Sequence, residues 1–169
     1  MVSNTTRSNT RRDRSAWEQL MAQYETSDLS QRIFCKQNGI ASFKGVLVSD
    51  GNEAYARYAQ TRETVTHAEC WAHTRRYFER AKEAEPQAVD EALAIIGTLY
   101  RHETCIRESK LTGEAKLTYR TRHSEPVVTA FWAWCESQYQ RHDLLPSNPL
   151  SKALKYAMAR VDSLKVFLS

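Results

Sequence analysis

An aspartate directly follows a short apolar run in this sequence. The run, residues 46–49 (VLVS), leads into Asp50 and Gly51, a pattern typical of a buried strand that enters a tight turn. A carboxylate at the end of such a strand is held rigidly with its oxygens facing outward, which suits a hard cation such as Mg²⁺. The alternative is that Asp50 only shapes the turn or caps the helix after it. Asp50 is therefore a candidate catalytic residue and metal ligand.

Three potential metal ligands, His67, Cys70 and His73, follow at intervals of three residues. If all three were helical, they would drift slowly round one face of the helix, where a metal could bind. Structural zinc generally takes four ligands, and the sequence has no second Cys or His pair nearby at suitable spacing. We therefore favour packing and hydrogen-bonding roles that support the segment.

Basic side chains form two clusters, and either could contact phosphates. The alternative is a solvated N-terminal segment and a solvated helix face. Aromatic side chains near basic ones could also stack on bases, but their helical spacing favours packing in the core. The basic residues are Arg7, Arg11, Arg12 and Arg14 in the first cluster and Arg75, Arg76, Arg80 and Lys82 in the second. The aromatic residues are Trp71, Phe78, Trp132 and Trp134.

The elements that must position these residues are mainly helical, with strands predicted only around residues 45–49 and 64–67. The predicted helices cover residues 15–26, 31–37, 52–60, 70–84 and 87–108, one that starts near Ser124 and Pro126, and a last amphipathic segment from Leu150 to Leu168. Apolar stripes indicate the buried faces. These stripes are Val89, Leu93, Ile96 and Tyr100 in one helix and Val127, Phe131, Trp134 and Cys135 in the next.

The length and composition of the chain are those of one ordinary globular domain, with or without a small appendage. The chain has 169 residues, 41% of them hydrophobic, and a formal net charge of +4. No apolar run is long enough to span a membrane, and the first residues lack the hydrophobic core of a signal peptide, so we expect a cytoplasmic protein. The four cysteines are too widely separated for a zinc ribbon or a disulfide scaffold and are expected to be reduced.

From Gly45 onward the chain resembles the transposases of the insertion sequence 66 family, which belong to the DDE class with an RNase H-like catalytic fold. The stretches that carry the resemblance are residues 47–51 (LVSDG) with Tyr55, 67–78 (HAECWAHTRRYF), 99–103 (LYRHE), 120–126 (RTRHSEP) and 145–156 (LPSNPLSKALKY). The Cys-Trp-Ala-His-x-Arg-Arg block is the most specific of them. The resemblance covers about residues 45–169 in the family's order.

The segment before Gly45 resembles a different protein, the small accessory protein encoded beside such transposases, which is thought to carry a helix-turn-helix. This resemblance rests on Trp17 and residues 29–40 (LSQRIFCKQNGI), and it ends near Ser42. The chain therefore looks like two pieces of one element joined by an internal deletion. The predicted organisation is a basic disordered leader (1–14), a helix-turn-helix-like fragment (15–42) and a partial catalytic core with its helical segment (43–169).

The resemblance implies a mainly α fold with a small β remnant, in which two short strands of an RNase H-like core precede a helical insertion segment. DDE enzymes are similar to two-metal phosphoryl-transfer enzymes, where three carboxylates hold two Mg²⁺ ions. Asp50 matches the second carboxylate by position. The first would lie in sequence replaced by residues 15–42 and the last beyond Ser169, which implies that the site is incomplete.

Further roles follow from the same resemblance. Cys70 and His73 match a Cys-x-x-His pattern that follows the second carboxylate in several DDE groups, and Arg75 and Arg76 become candidates for phosphate contact. The expected partner is DNA at the ends of an insertion sequence, and strands without neighbours predict association with the same chain or with an intact transposase.

Three functions are consistent with these features. The first is a transposase fragment whose ancestral activity was Mg²⁺-dependent cleavage and transfer of DNA strands. The second is a non-enzymatic DNA-binding or inhibitory partner of an intact transposase. The third is an active nuclease or strand-transfer enzyme whose missing carboxylates come from another polypeptide.

Overall fold

The computed structural model describes residues 14–29, 33–34, 37–38, 44–51, 53–61 and 63–169, and the chain forms two compact units, Met1–Phe43 and Lys44–Ser169. In the first unit, helix α1 covers Arg14–Glu25, close to the predicted 15–26. The ring of Tyr24 packs edge-on against that of Phe34, with 5.3 Å between centroids. The predicted leader, apart from Arg14, and most of the predicted second helix lie outside the described residues.

The second unit begins with a βαβ arrangement. Strand β1 (Gly45–Ser49), helix α2 (Glu53–Gln60) and strand β2 (Val65–Glu69) follow one another along the chain. The strands pair in parallel, with Gly45 opposite Val65 and Ser49 opposite Glu69. Because a parallel pair needs a crossover, α2 returns the chain to the starting edge, and both strands end at the same edge. The two predicted strands are confirmed, and β2 extends two residues past its predicted end.

Helices make up the rest of this unit, so the chain is mainly α with one pair of parallel strands. They are α3 (Trp71–Glu79), α4 (Pro86–Glu108), α5 (Gly113–Tyr119), α6 (Glu125–Tyr139), α7 (Pro149–Met158) and α8 (Val161–Lys165), followed by a 3₁₀ turn (Val166–Leu168). Prolines open α4 and α7, where a missing N–H costs nothing. The Asn148 side chain accepts the backbone N–H of Leu150 at 2.8 Å and so caps α7. No helix in the described ranges is both long and apolar enough to cross a membrane.

Helix α5 was not predicted, and it joins α6 through a π-helical turn (Arg120–Ser124). Contacts from α4 hold this turn. Nε and Nη2 of Arg120 donate to the two oxygens of the Glu103 carboxylate, at 2.8 and 2.7 Å. The hydroxyl of Ser124 is buried and lies 3.3 Å from Nδ1 of His102.

The predicted C-terminal helix is wrong in one respect, because it breaks between α7 and α8. Arg160 leaves the helical region of backbone space, with φ −128° and ψ 19°. Its side chain turns back toward β2 and pairs with Glu69. The continuous amphipathic pattern of the sequence gave no sign of this break.

The core lies between the helices and is apolar. Its largest fully buried side chains are Phe78, Phe131, Ile96, Leu150, Leu154 and Leu164. The Trp71 ring packs against Phe131 and Trp132, at 5.2 and 6.1 Å between centroids, and its Nε1 donates to the Leu164 carbonyl at 3.0 Å. These aromatic rings pack against one another, which favours the core interpretation over base stacking.

The buried faces of α4 and α6 differ at their margins from the predicted ones. Tyr100 was predicted to face the core, but it is 42% exposed. On α6 the fully buried positions include Val128 and Phe131, while Val127 and Trp134 are only partly buried. The buried face of α6 is therefore rotated slightly from its predicted position. The helix packs against both α4 and α7, so it buries a wider face than the predicted stripe.

Candidate functional site

Asp50 lies where the sequence predicts it, directly after β1. The residue is exposed at the carboxyl end of the strand. Glu69, the last residue of β2, lies opposite Ser49 in the parallel register. Two carboxylates, Asp50 and Glu69, therefore end neighbouring strands, and we call them the carboxylate edge.

The two carboxylates differ in environment. The Glu69 side chain is only 8% exposed, and its Oε2 lies 2.7 Å from Nε of Arg160. Burial raises the pKa of Glu69 above its ordinary value, the positive charge of Arg160 opposes this rise, and the negative charge of Asp50 adds to it. The edge therefore has one exposed carboxylate, that of Asp50, and one buried carboxylate, that of Glu69, which forms an ion pair with Arg160.

Two residues from α7 and its end, Tyr156 and Arg160, hold the turn after β1, and we call them the clasp. The Tyr156 hydroxyl donates to the Asp50 carbonyl at 3.2 Å, and Arg160 Nη2 donates to the Gly51 carbonyl at 3.4 Å. Burial raises the pKa of Tyr156, so the phenol stays protonated and able to donate. Arg160 also lies 3.9 Å above the Tyr156 ring.

The clasp fits closely against a glycine. Gly51 has φ +91°, a backbone conformation that other residues rarely adopt. A Cβ added there would lie 2.7 Å from the Tyr156 hydroxyl oxygen and 3.2 Å from Arg160 Nε. The positive φ therefore favours glycine at position 51, and a side chain there would displace the ends of Tyr156 and Arg160.

His67, Cys70 and His73 do not converge on one point. His67 is on β2, and its Nε2 lies 2.8 Å from the Ser49 hydroxyl. The backbone N–H of Cys70 donates to the Ser49 carbonyl at 3.1 Å, while the Cys70 carbonyl accepts from the His73 N–H. Within the described part of the chain, no three His, Cys, Asp or Glu side chains are placed to hold a metal. The supporting role of the three residues stays a prediction.

Arg75 and Arg76, the predicted phosphate contacts, point to different surroundings. Arg75 forms an ion pair with Glu79 at 3.0 Å, and the charges of both arginines act on Tyr100 of α4. Arg76 Nη1 lies 3.4 Å from Nε2 of His73. Both guanidinium groups are exposed, and their role in DNA contact stays a prediction.

Sequence reasoning missed three residues of this site, Glu69, Tyr156 and Arg160. Glu69 was detectable, because the carboxyl ends of two parallel strands meet at one edge and both strands were predicted. Tyr156 stood within a stretch that resembles the family, but its contact with Asp50 spans 106 positions of sequence. No local signal marks Arg160.

The carboxylate edge does not fit a two-cation centre. Two hard cations need several oxygen ligands in strict geometry, and Asp50 is the exposed carboxylate here. Glu69 is matched by the Arg160 guanidinium, whose charge lies where a cation near β2 would have to lie. The described residues could hold one hard cation at Asp50, with most of its oxygen ligands supplied from elsewhere.

Comparison with known proteins identifies the class of the chain. A family model described as "Transposase IS66 family" matches residues 9–169. The chain therefore belongs to the IS66 family of transposases, as the resemblance from Gly45 onward indicated.

The chain is also similar to curated proteins that are several times longer. The uncharacterized protein y4qI of Sinorhizobium fredii is 28% identical over 142 residues, which cover 80% of this chain and 26% of the relative. The uncharacterized protein y4jD of the same organism is 32% identical over 136 residues, covering 76% of this chain and 26% of that relative. The chain spans about a quarter of the length of these relatives. No solved structure matches it.

Proposed function

We propose that this chain acts in DNA transposition as part of a DDE-class catalytic core with a partial RNase H-like sheet, in which Asp50 is one of the catalytic carboxylates. The observation that carries the proposal is the exposed Asp50 carboxylate at the end of a parallel strand, in a chain of the IS66 family. The turn that bears Asp50 is fixed by the clasp, as a group that must hold its position for phosphoryl transfer requires.

The chain alone is proposed to be catalytically incomplete. In enzymes of this class Mg²⁺ activates the attacking oxygen and stabilises the leaving one, which takes several carboxylate ligands. Asp50 would supply one of them, and Glu69 is matched by Arg160. The remaining ligands would have to come from outside the described residues, for example from an intact family member in an assembly.

A second function, a non-enzymatic inhibitory partner of an intact transposase, is favoured by one observation. Val46 and Val48 of β1 are 50% and 61% exposed, so one face of this strand is open. An open sheet face with unpaired edges favours association with another chain. Such a chain would occupy the position of a complete subunit without completing its chemistry.

Complementation distinguishes these functions. A full-length family member would be inactivated by an Ala substitution at its aspartate matching Asp50, and then assayed for Mg²⁺- or Mn²⁺-dependent nicking and strand transfer on the element's end DNA. We expect no product from this chain alone, and product when it is added to the inactivated protein. The chain carrying Asp50→Ala is the matched control and should restore nothing.

Each outcome assigns a function. Asp50-dependent product from the chain alone would overturn catalytic incompleteness. Failure to complement, together with inhibition of an unmodified family member by both the wild-type chain and the Asp50→Ala chain, would overturn the catalytic role of Asp50 and favour the inhibitory partner.

A further inference from the structure

A row of two stacked aromatic rings between two cations joins α3 to α7. The Arg80 guanidinium lies 5.2 Å from the centre of the Tyr77 ring, which stacks on Tyr156 at 3.8 Å and an interplanar angle of 15°. Arg160 covers the other face of Tyr156 at 3.9 Å. The row ends at the carboxylate edge, where Arg160 meets Glu69.

The two helices run in opposite directions along this row. Helix α3 starts beside the edge, since the Cys70 N–H donates to Ser49, and α7 ends beside it, since Arg160 contacts Gly51. Arg80, one turn after Tyr77, and Lys152, one turn before Tyr156, therefore lie on the side away from Asp50. From Lys152 to the end of α7 at Met158 the helix advances about 9 Å, the rise of two to three nucleotides in one DNA strand.

Four exposed cations lie at the end of the row or beside it on the same two helices. We call them the basic stripe: Arg76, Arg80, Lys152 and Lys155. Helix α7 has no acidic residue anywhere between Pro149 and Met158. Other basic residues of the neighbourhood do not belong to the stripe. Arg75 pairs with Glu79 at 3.0 Å, and Lys82 pairs with Asp90.

The tyrosines of the row are not available to nucleotide bases. Tyr77 is enclosed between Arg80 and Tyr156, and Tyr156 between Tyr77 and Arg160. Base stacking needs an open ring face. The exposed groups of this surface are therefore cations on flexible stems, which match phosphate oxygens and carry no base specificity.

We infer that the basic stripe binds the phosphates of a DNA duplex without regard to sequence and directs one strand toward Asp50. The inference rests on the proposed function, because it names the surface through which that function reaches DNA. The stacked tyrosines act as a support that limits the freedom of the Arg80 side chain before DNA binds. The ligand is duplex backbone, and single-stranded DNA should bind more weakly because its bases find no open ring.

The first test measures binding of the full chain to fluorescent duplexes of unrelated sequence across a range of salt concentrations. The double variant Arg80→Ala/Lys152→Ala should lower the slope of log K against log salt by about 1.8, because each lost phosphate contact removes roughly 0.9. The matched control Arg107→Ala/Lys110→Ala makes the same charge change at the far end of α4, and its slope should equal that of the wild type.

A second pair of variants distinguishes the effect of the stacked rings on DNA binding from the effect of net charge. Tyr77→Phe keeps the stack and should bind DNA like the wild type, whereas Tyr77→Leu changes no charge and should weaken binding several-fold. Circular dichroism would verify that both variants fold. Equal binding by the two variants, in folded protein, would overturn the supporting role of the row.

Other outcomes would overturn the basic stripe itself. These are equal loss of slope in the stripe and control variants, tighter binding of single strands than of duplex, or no DNA binding by the wild-type chain. Complementation through Asp50 is measured independently, so the stripe can fail while the proposed function stands, and the reverse also holds.

Discussion

The helical core and the carboxylate edge are stabilised in different ways. The core is formed by apolar side chains that are fully buried between α3, α4, α6 and α7, such as Phe131 and Leu154. The edge is held by a few polar contacts from the clasp, which comes from the far end of the sequence. Because α7 reaches Asp50 while packed on α3, the position of the edge depends on the packing of the core.

The strand pair itself has one partly covered face and a more exposed one. Leu47 and His67 are partly covered, but Val46 and Val48 remain largely exposed. Two strands bury too little surface to be stable alone. The strand pair therefore relies on the helices packed beside it, and the following predictions compare the two regions.

The largest effect is expected in the core. Phe131 is fully buried and contacts the rings of Trp71, Phe78 and Trp132. Phe131→Ala should lower the free energy of unfolding by about 3 to 5 kcal/mol, because it removes apolar contacts and leaves a cavity. Urea denaturation followed by circular dichroism would measure it. A loss below about 1 kcal/mol would contradict the central position of this ring.

A smaller effect is expected at the clasp. Arg160→Met leaves the Glu69 carboxylate buried without its cation and should cost about 1 to 3 kcal/mol, less than for a fully buried pair because Arg160 is 21% exposed. Adding Glu69→Gln should recover much of the loss. A double-mutant cycle with no coupling between the two positions would show that the ion pair contributes nothing.

This cost should depend on pH. The pKa of Glu69 is raised by burial, and removing Arg160 takes away the charge that opposes the rise. A raised folded-state pKa gives stability that is present at low pH and lost as pH rises through it. The stability difference between wild type and Arg160→Met should therefore narrow as the pH falls from 7 toward 5. A difference that widens on acidification would contradict this environment for Glu69.

Thiol reactivity should distinguish the core from the surface without any mutation. Burial raises the pKa of Cys135 to about 12, whereas Cys105 is exposed. At pH 8 a thiol reagent should modify Cys105 readily and Cys135 only when the protein unfolds, since the thiolate is the reactive form. Peptide mapping by mass spectrometry would read both sites, and equal labelling rates would place Cys135 outside the core.

The smallest change in stability is expected on the open face of the sheet. Val48→Thr is nearly isosteric at a position 61% exposed, so unfolding should change by less than about 0.5 kcal/mol. Self-association, measured by sedimentation velocity, should nevertheless weaken. Leu145→Thr, an exposed apolar residue outside the sheet, is the control. The same weakening in both variants would remove the sheet face as the site of association.

Much of this fold could be predicted from local sequence patterns, but little of the carboxylate edge could. Strands β1 and β2 and helix α4 have clear apolar patterns with turn residues beside them, and the structure confirms them. The break at Arg160 and the helix α5 have no such signal, because contacts with Glu69 in one case and a π-helical turn in the other decide the backbone. Asp50 was found because its strand was visible, while the residues that fix it lie more than 100 positions away.

The π-helical turn between α5 and α6 has a consequence for changes in chain length. A turn of this kind holds one residue more than the α-helix would. Deleting Thr121 would restore regular α-helical spacing while α5 and α6 keep nearly their present directions, because the wide turn already absorbs the extra residue. The tie between Arg120 and Glu103 and the buried positions of Val128 and Phe131 would then be retained. A single lost codon here should thus be less damaging than a deletion within the regular part of either helix, where each residue turns the helix by about 100°.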